Sequence, residues 1–398
     1  MYHECKIHSG DCGVLYQGPL CKMLLTYQGG EMACKMDPET AKVLFKEGAT
    51  LLFFDVPEGT EFGIDYNSWT VGPNFQGVKM IPPGIHFVYY SSRSNNGDTG
   101  PRTGFFYNFQ RQEIIVRKWD KYNEDVKTDP VSEDEVERYR KNMENLDRFL
   151  GPYPYENYKK WVSMSSYVTA DLLNRLQPEN RRISSVTEFI SEASDSKSRL
   201  AAMQSKMETE SDSRDKLPEL TTKPEAVVHF TKLHNQRYPQ GSSPDEITKH
   251  SLDSSYVLEQ TIKSSYQSKE MDLLGEIQFS FICFLIGQVY DAFDQWKKLV
   301  HLMCNSKEAL EKHNELYMNL ISVLHYQIRE IPEDFFVDIV SQHNFLTNTL
   351  HEFFCNIEYG NPDVALKRRA LKFRDHLTVK FKWDFTSEPD DFAPVVVE

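Results

Sequence analysis

The 398-residue sequence lacks the features that would mark a membrane protein or a common class of enzyme. Its most apolar run, Phe279 to Val289, is shorter than the roughly 20 residues that a membrane-spanning helix needs, and no secretory signal opens the chain. The motifs GxSxG, GxGxxG and GxxxxGK with a following Ser or Thr, which position a nucleophile or a phosphate, are absent. We therefore predict a soluble protein without a membrane partner, catalytic residues or a cofactor.

Residues that ligate metals are too scattered to predict a metal site. Four of the seven cysteines lie in the first 34 residues, at spacings that match no common zinc pattern. His86 is the only histidine between Pro57 and Trp119, so we interpret it as structural rather than as part of a cupin-like metal site. Free cysteines without a secretory signal predict a reducing compartment, nucleus and cytoplasm. The cysteines are Cys5, Cys12, Cys21, Cys34, Cys283, Cys304 and Cys355.

Positive charge is also scarce. The formal net charge of −14 disfavours direct binding of nucleic acid, because a phosphate backbone selects Lys and Arg, and it favours a basic protein partner. One local exception is a basic cluster near Trp383, for which two interpretations stay open: a minimal RNA-stacking groove or the solvated face of a helix. Its members are Lys367, Arg368, Arg369, Lys372, Arg374, Lys380 and Lys382.

Between Leu51 and Tyr90, short apolar and aromatic runs alternate with Gly, Pro and Asn, which is typical of short strands joined by tight turns. Gly59, Gly77 and Gly84 lie where a turn requires a positive φ.

Two further runs, 103–109 and 113–119, have the pattern of a closing hairpin, and a leading helix is predicted between Asp37 and Gly48. About seven strands and this helix predict a β-sandwich or open barrel over residues 32–128.

A strong helix start follows the strands. Ser132 and Glu135 have the spacing of a capping box, and Val131 and Val136 that of a hydrophobic staple. A further helix is predicted over 155–176, so residues 129–190 are interpreted as a helical connector.

From Pro244 onward, apolar residues recur at helical spacing almost without interruption. Two long helices on either side of Gly287 predict an antiparallel hairpin, and further helices are predicted over 307–329, 334–340, 345–355 and 362–381. Hairpins in series favour an all-α, helical-repeat-like domain over residues 223–385, although no strict repeat period is present.

These patterns predict an α+β multidomain protein, with an N-terminal β-sandwich or open-barrel-like domain followed by the all-α domain. Residues 1–31 are predicted to be a disordered extension, and residues 191–222, rich in Ser, Asp, Glu and Lys, a disordered linker. The linker is either a passive tether or a phosphorylation region. The serines concerned are Ser191, Ser194, Ser196, Ser198, Ser205, Ser211 and Ser213.

Residues 386–398 are predicted to be an extended tail, because Pro389 and Pro394 prevent a stable helix. The tail ends in three β-branched residues, Val395, Val396 and Val397, which suit the addition of a strand to a sheet edge. That edge belongs either to a partner or to this chain's own β domain.

Several long strings resemble the A1-cistron splicing factor family, in the same order along the chain. They include GTEFGIDYNSWTVGPNF, GVKMIPPGIHF, FLGPYPYENYKKW, GEIQFSFICFLIGQVYDAFDQWK and KFKWDFTSEPDDFAPVVVE. The resemblance runs from about Met36 to Glu398 and is interrupted mainly between residues 191 and 222. It implies a non-enzymatic assembly factor of the U5 small nuclear ribonucleoprotein (snRNP) in pre-mRNA splicing, a monomer when alone.

The resemblance further implies that the chain binds the large U5 scaffold protein at its RNase-H-like and Jab/MPN-like domains, contacts other U5 proteins, and delays recruitment of the particle's helicase. The family's tails are expected to join the two scaffold domains into one intermolecular sheet. The candidate partner-binding residues are Trp383, Asp384, Phe385, Val395, Val396 and Val397.

Two alternatives to an assembly factor remain. One is a small-molecule or metal-dependent enzyme built on the β domain, with Asp55, Glu61 and Asp65 as its acid–base groups. The other is an RNA-binding adaptor that uses the basic cluster.

Overall fold

The computed structural model describes residues 38–93, 99–127, 131–187, 223–331 and 345–385. They form an N-terminal β-sheet domain and a C-terminal helical region, which confirms the predicted α+β architecture. The predicted extension 1–31, linker 191–222, tail 386–398 and helix 334–340 lie outside the described residues.

Ten strands in the described part of the chain form two five-stranded sheets. The first has the order β8-β7-β1-β4-β9 and mixes parallel with antiparallel pairs, whereas the second, β10-β6-β5-β2-β3, is antiparallel throughout. The strands are β1 (Ala49–Phe54), β2 (Glu61–Ile64), β3 (Asn67–Thr70), β4 (Gly77–Ile81), β5 (Gly84–Arg93), β6 (Thr99–Phe109), β7 (Ile114–Asp120), β8 (Asp125–Val126), β9 (Leu150–Pro152) and β10 (Ile183–Ser184). Helix α1 (Pro38–Glu47) precedes β1, as predicted.

The alternation of side chains along each strand supplies three separate cores. In β5, Val88 and Tyr90 point into the core between the two sheets, whereas Phe87 and Tyr89 point toward the helical region. In β1, Leu52 points away from the second sheet, toward the helices that cover the first. The β domain is therefore a sandwich that carries helices on both outer faces.

The connector supplies most of those covering helices. Helices α2 (Glu133–Lys141) and α3 (Met143–Leu146) pack on the first sheet, and α4 (Tyr158–Ser165) and α5 (Ala170–Leu176) pack between the second sheet and the helical region. The connector also contributes β9 and β10, one strand to each sheet. Strands of two or three residues carry no periodic signal, and so the sequence pattern indicated helices alone.

The helical region contains the hairpin that was predicted around Gly287, formed by α8 and α9. Its described helices are α6 (Pro244–Leu252), α7 (Ser255–Ser265), α8 (Glu270–Leu285), α9 (Tyr290–Cys304), α10 (Ala309–Lys312), α11 (Asn314–Glu330), α12 (Phe345–Tyr359) and α13 (Val364–Phe381). The fully buried Trp296 of α9 donates its indole N–H to Gln327 of α11 at 2.8 Å, which ties the hairpin to the next helix.

The predicted hairpin of residues 103–109 and 113–119 is wrong. β6 pairs with β5 and β10, whereas β7 pairs with β1 in parallel and with β8. The turn between them therefore carries the chain from the second sheet to the first. Each strand pattern was predicted correctly, but period-two alternation does not identify the partner strand.

Two local predictions about helices also need correction. Ser132 caps α2 by accepting from the Glu135 N–H at 3.4 Å, but the Glu135 carboxylate accepts from Lys118 at 2.5 Å instead of closing a capping box. The single helix predicted over 155–176 is interrupted, because Thr169 caps a new helix by accepting from the Leu172 N–H at 3.2 Å.

The β domain and the helical region share a core. Phe106 of β6 contacts Phe279 of α8, with ring centroids 5.1 Å apart. Arg102 donates to the Ile286 carbonyl at the end of α8 and to Glu61 of β2, both at 2.9 Å. The contacts of Phe106 and Arg102 with α8 join the β domain to the helical region, so the two pack together as one unit.

A fully buried carboxylate, Glu276 of α8, sits at this junction. It accepts from the Thr231 N–H at 2.8 Å and hydroxyl at 2.6 Å, from Gln295 at 2.9 Å, from Tyr266 at 3.0 Å and from Arg175 at 3.2 Å. Burying a charge is tolerated only when it is paired and hydrogen-bonded. Glu276 therefore fixes the connector helix α5, helices α7 and α9 and the segment around Thr231 against α8.

Candidate partner-binding surface

The C-terminal end of the described structure is anchored by two aromatic side chains. Helix α13 ends at Phe381, and Lys382 after it has a left-handed backbone (φ 60°) that reverses the chain. Trp383 then stacks on Phe381 with centroids 4.9 Å apart, and Phe385 meets Phe354 of α12 edge-on at 5.0 Å. Both side chains are buried, at 9% and 6% exposure, so the last described residues are fixed to the helical region.

The structure buries two of the predicted partner-binding residues. Trp383 and Phe385 belong to the core of the helical region, where the side chains are covered by this chain's own helices. Asp384 between them is exposed. The other candidates, the three tail valines and the seven linker serines, lie outside the described residues, and their roles remain predictions.

The burial of Trp383 also bears on the RNA-adaptor alternative. That alternative combined the basic cluster with Trp383 as a stacking platform. A base needs one open face of the ring to stack on, but Trp383 is only 9% exposed, with Phe381 stacked on it and Phe385 meeting it edge-on. In the described structure, the Trp383 ring is therefore not accessible as the stacking platform that the RNA interpretation requires.

The basic cluster itself divides into paired and unpaired members. Lys367 donates to the Glu358 carbonyl oxygen at 3.2 Å, Arg369 donates to the Ser322 hydroxyl, and Arg374 pairs with the Glu358 carboxylate at 3.6 Å. These three hold α13 to its neighbours. Within the described residues, Arg368 and Lys372 are exposed and have no ion-pair partner.

Arg368 and Lys372 belong to one exposed stripe along α13. With helical spacings of three, four and seven residues, its members share one side of the helix. Val364 and Val379 are large apolar side chains that are 82% and 71% exposed. We call this surface the α13 stripe; it consists of Val364, Arg368, Leu371, Lys372, Asp375 and Val379.

An open groove of about 490 Å³ runs along the N-terminal half of the stripe. The turn between α12 and α13 forms its other wall, with Gly360 and Pro362. Tyr359, the last residue of α12, is 78% exposed. A groove that combines apolar walls with two cations, Arg368 and Lys372, that have no ion-pair partner among the described residues suits a segment that carries both apolar and acidic residues.

The polar cluster in the β domain has the composition of a catalytic site but not its accessibility. His86 Nδ1 lies 2.6 Å from Asp65, His86 Nε2 lies 2.8 Å from the Pro82 carbonyl, and Tyr153 donates to Asp65 at 2.6 Å. Burial and the adjacent Asp65 carboxylate raise the pKa of Tyr153 far above its usual value, so it remains a donor. Asp65 and His86 are 2% and 1% exposed.

These bonds join the β2–β3 turn, β5 and the residue after β9, and they occupy both ring nitrogens of His86. The predicted structural role of His86 is therefore the one that the geometry supports. Asp65, one of the three acid–base candidates, is buried within this cluster. Of the other two acid–base candidates, Glu61 is paired with Arg102, and Asp55 is exposed in a turn.

The described ranges contain neither a candidate metal site nor a candidate membrane span. No group of three or more His, Cys, Asp and Glu side chains there is arranged to hold a metal ion. No helix there is long and apolar enough to cross a membrane.

The fold and this surface define a two-part α+β protein whose candidate binding surface is a mixed basic and apolar helix face next to an anchored C-terminus. Comparison with known proteins agrees with this division. The AAR2 N-terminal domain family matches residues 47–178, and the AAR2 C-terminal repeat region matches residues 230–386.

Whole-chain relatives give the same assignment. The protein AAR2 homolog of Homo sapiens is 48% identical over 374 residues, which cover 92% of this chain and 97% of the relative. The homolog of Caenorhabditis elegans is 36% identical over 368 residues, 90% and 100% of the two chains. The A1 cistron-splicing factor AAR2 of Saccharomyces cerevisiae is 22% identical over 336 residues, 80% and 89%. This chain belongs to the AAR2 family, which confirms the resemblance found in the sequence.

Proposed function

We propose that this protein is a splicing factor that assists assembly of the U5 snRNP without being an enzyme. The support for a role in splicing is near full-length similarity to AAR2 proteins, one of which, from yeast, is named as an A1 cistron-splicing factor. The assembly role rests on the family resemblance of the sequence. The protein acts in the nucleus and cytoplasm.

The partner in this proposal is the large U5 scaffold protein, bound at its RNase-H-like and Jab/MPN-like domains so that helicase recruitment is delayed. The observation that carries the proposal is the anchor formed by Trp383 and Phe385. It fixes the start of a tail whose last residues suit strand addition to a sheet edge. Because the tail is tethered to the folded body, contact by the body raises the local concentration of the tail at its own site.

Affinity purification of the tagged full-length chain, followed by mass spectrometry, tests the proposal. We expect the U5 scaffold protein and other U5 proteins among the most enriched, and the helicase to be depleted relative to the scaffold. A matched chain with Val395, Val396 and Val397 all changed to Ser keeps length and charge and removes the apolar strand. It should recover much less scaffold. Recovery of no U5 protein by either chain would refute the assembly role.

A further inference from the structure

The α13 stripe is an exposed surface without a described occupant. Arg368 and Lys372 are unpaired among the described residues, and Val364 and Val379 expose most of their surface. Large apolar side chains on a solvated helix, next to a groove of about 490 Å³, are typical of a surface that another segment covers.

The chain's own tail has the chemistry that complements the stripe. Residues 386–398 contain Glu388, Asp390, Asp391 and Glu398 but neither Lys nor Arg, and they end in a run of three valines. We infer that the α13 stripe is an intramolecular docking site for this tail, with the acids beside Arg368 and Lys372 and the valines in the groove.

The path of the chain permits this docking. Phe385 already lies beside Phe354, which also contacts Phe373 in the middle of α13, so the chain has turned back toward the start of the helix. From Phe373 to Val364 the helix rises about 14 Å, at 1.5 Å per residue. Thirteen extended residues reach about 43 Å. The tail is therefore long enough to pass around the helix and to reach the groove.

Docking would shield the three tail valines from solvent in the free protein. Tethering makes the contact intramolecular, so weak pairing between exposed charges is sufficient for occupancy. A scaffold that takes up the same valines would have to displace them from the groove. The docked state itself is a property of the chain alone and does not depend on the proposed scaffold partner.

Photo-crosslinking in the full-length chain, without any partner protein, tests the inference. With p-benzoylphenylalanine in place of Val396, we expect an intramolecular crosslink within residues 359–375. R368E/K372E should reduce its yield at least fivefold. The control K263E/K298E changes two exposed lysines of α7 and α9 and shifts the net charge equally; it should leave the yield unchanged.

A second experiment measures binding of the tail, supplied as a separate peptide without the photo-crosslinker. A peptide of residues 386–398 should bind a chain that ends at Phe385 and should bind the full-length chain at least tenfold more weakly, because the tethered tail occupies the stripe. A peptide with the three valines changed to Ser should lose most of its affinity.

The inference is overturned if the crosslinks map to the β domain or are absent, because the valines would then pair with the sheet edge or remain free. Equal binding of the peptide to the two chains, or loss of crosslinking in K263E/K298E as great as in R368E/K372E, would also overturn it.

Discussion

Replacement of Glu276 with alanine should destabilise the fold far more than loss of a surface ion pair. The carboxylate is fully buried and accepts from the Thr231 N–H and hydroxyl, Gln295, Tyr266 and Arg175. Removing one partner of a buried charged network costs about 3–5 kcal/mol, because the remaining groups stay buried without a partner. E276A should therefore lose about 3–5 kcal/mol of unfolding free energy.

The measurement is urea unfolding at 25 °C, followed by the fluorescence of the buried Trp161 and Trp296, which lie in the connector and the helical region. The control E259A removes the surface pair of Glu259 with Lys312, at 2.6 Å, and should cost at most about 1 kcal/mol. E276Q keeps the volume but replaces one acceptor oxygen with an NH2 donor that faces other donors, so it should recover only part of the loss. If E276A is no less stable than E259A, the proposed junction is wrong.

Four further predictions concern the Trp383–Phe385 anchor, the connector strands β9 and β10, the linker serines and the pH dependence of stability. F385A should lose about 3–5 kcal/mol of stability as a cavity opens, whereas a chain that ends at Ser387 should lose only about 1–2 kcal/mol, the contribution of a docked tail; a larger loss in the truncated chain than in F385A would contradict the anchor. By circular dichroism, a fragment of residues 33–187 should melt cooperatively and at a higher temperature than one of residues 33–128, which lacks β9 and β10. Equal melting temperatures would show that the connector does not stabilise the sandwich. Changing all seven linker serines to Glu should weaken scaffold binding relative to the Ala variant, and equal affinities would leave the linker a passive tether. Burial and the nearby His376 lower the pKa of His325 to about 4. Because the unfolded chain binds this proton at a higher pH than the folded chain does, the unfolding free energy should fall as the pH drops from about 6.5 toward 4. The fall should be smaller in H325Q, and an equal fall in both chains would assign the effect to other groups.

Local features of the fold could be predicted from the sequence. The glycines at turns have the expected positive φ, with values of 89° at Gly59, 139° at Gly77 and 134° at Gly84, because only the local backbone decides them. The α8–α9 hairpin and the Ser132 cap have the same local origin. The partner of β7 could not be predicted, since pairing depends on contacts between distant residues.

The buried polar residues were missed for the same reason. The donors to Glu276 include Thr231, 45 residues away, and Arg175, 101 residues away, and Tyr153 lies 88 residues from Asp65. One signal was present: Glu276 interrupts an apolar helical run. An acid in such a run indicates a buried partner network when no solvent-exposed face is available to it.

The candidate surface was predicted only in outline. The sequence indicated a basic cluster near Trp383, but it could not show that Lys367, Arg369 and Arg374 pair with neighbouring helices. Nor could it show that Arg368 and Lys372 have no ion-pair partner in the part of the chain that the structure describes. Burial of Trp383 and Phe385 depends on α12, which comes before α13 in the chain. From the sequence alone, Trp383 and Phe385, two residues apart after a predicted helix, could have contacted either a partner or this chain's own helices.

The most direct test of the account measures binding of the purified scaffold segment, comprising its RNase-H-like and Jab/MPN-like domains, by isothermal titration calorimetry. The full-length chain should bind it, and a chain that ends at Ser387 should bind at least tenfold more weakly while still unfolding cooperatively, at a melting temperature only slightly lower because the docked tail is lost. Equal affinity of the two chains would contradict a tail that joins the scaffold domains. Absence of binding by both would contradict the assembly function itself.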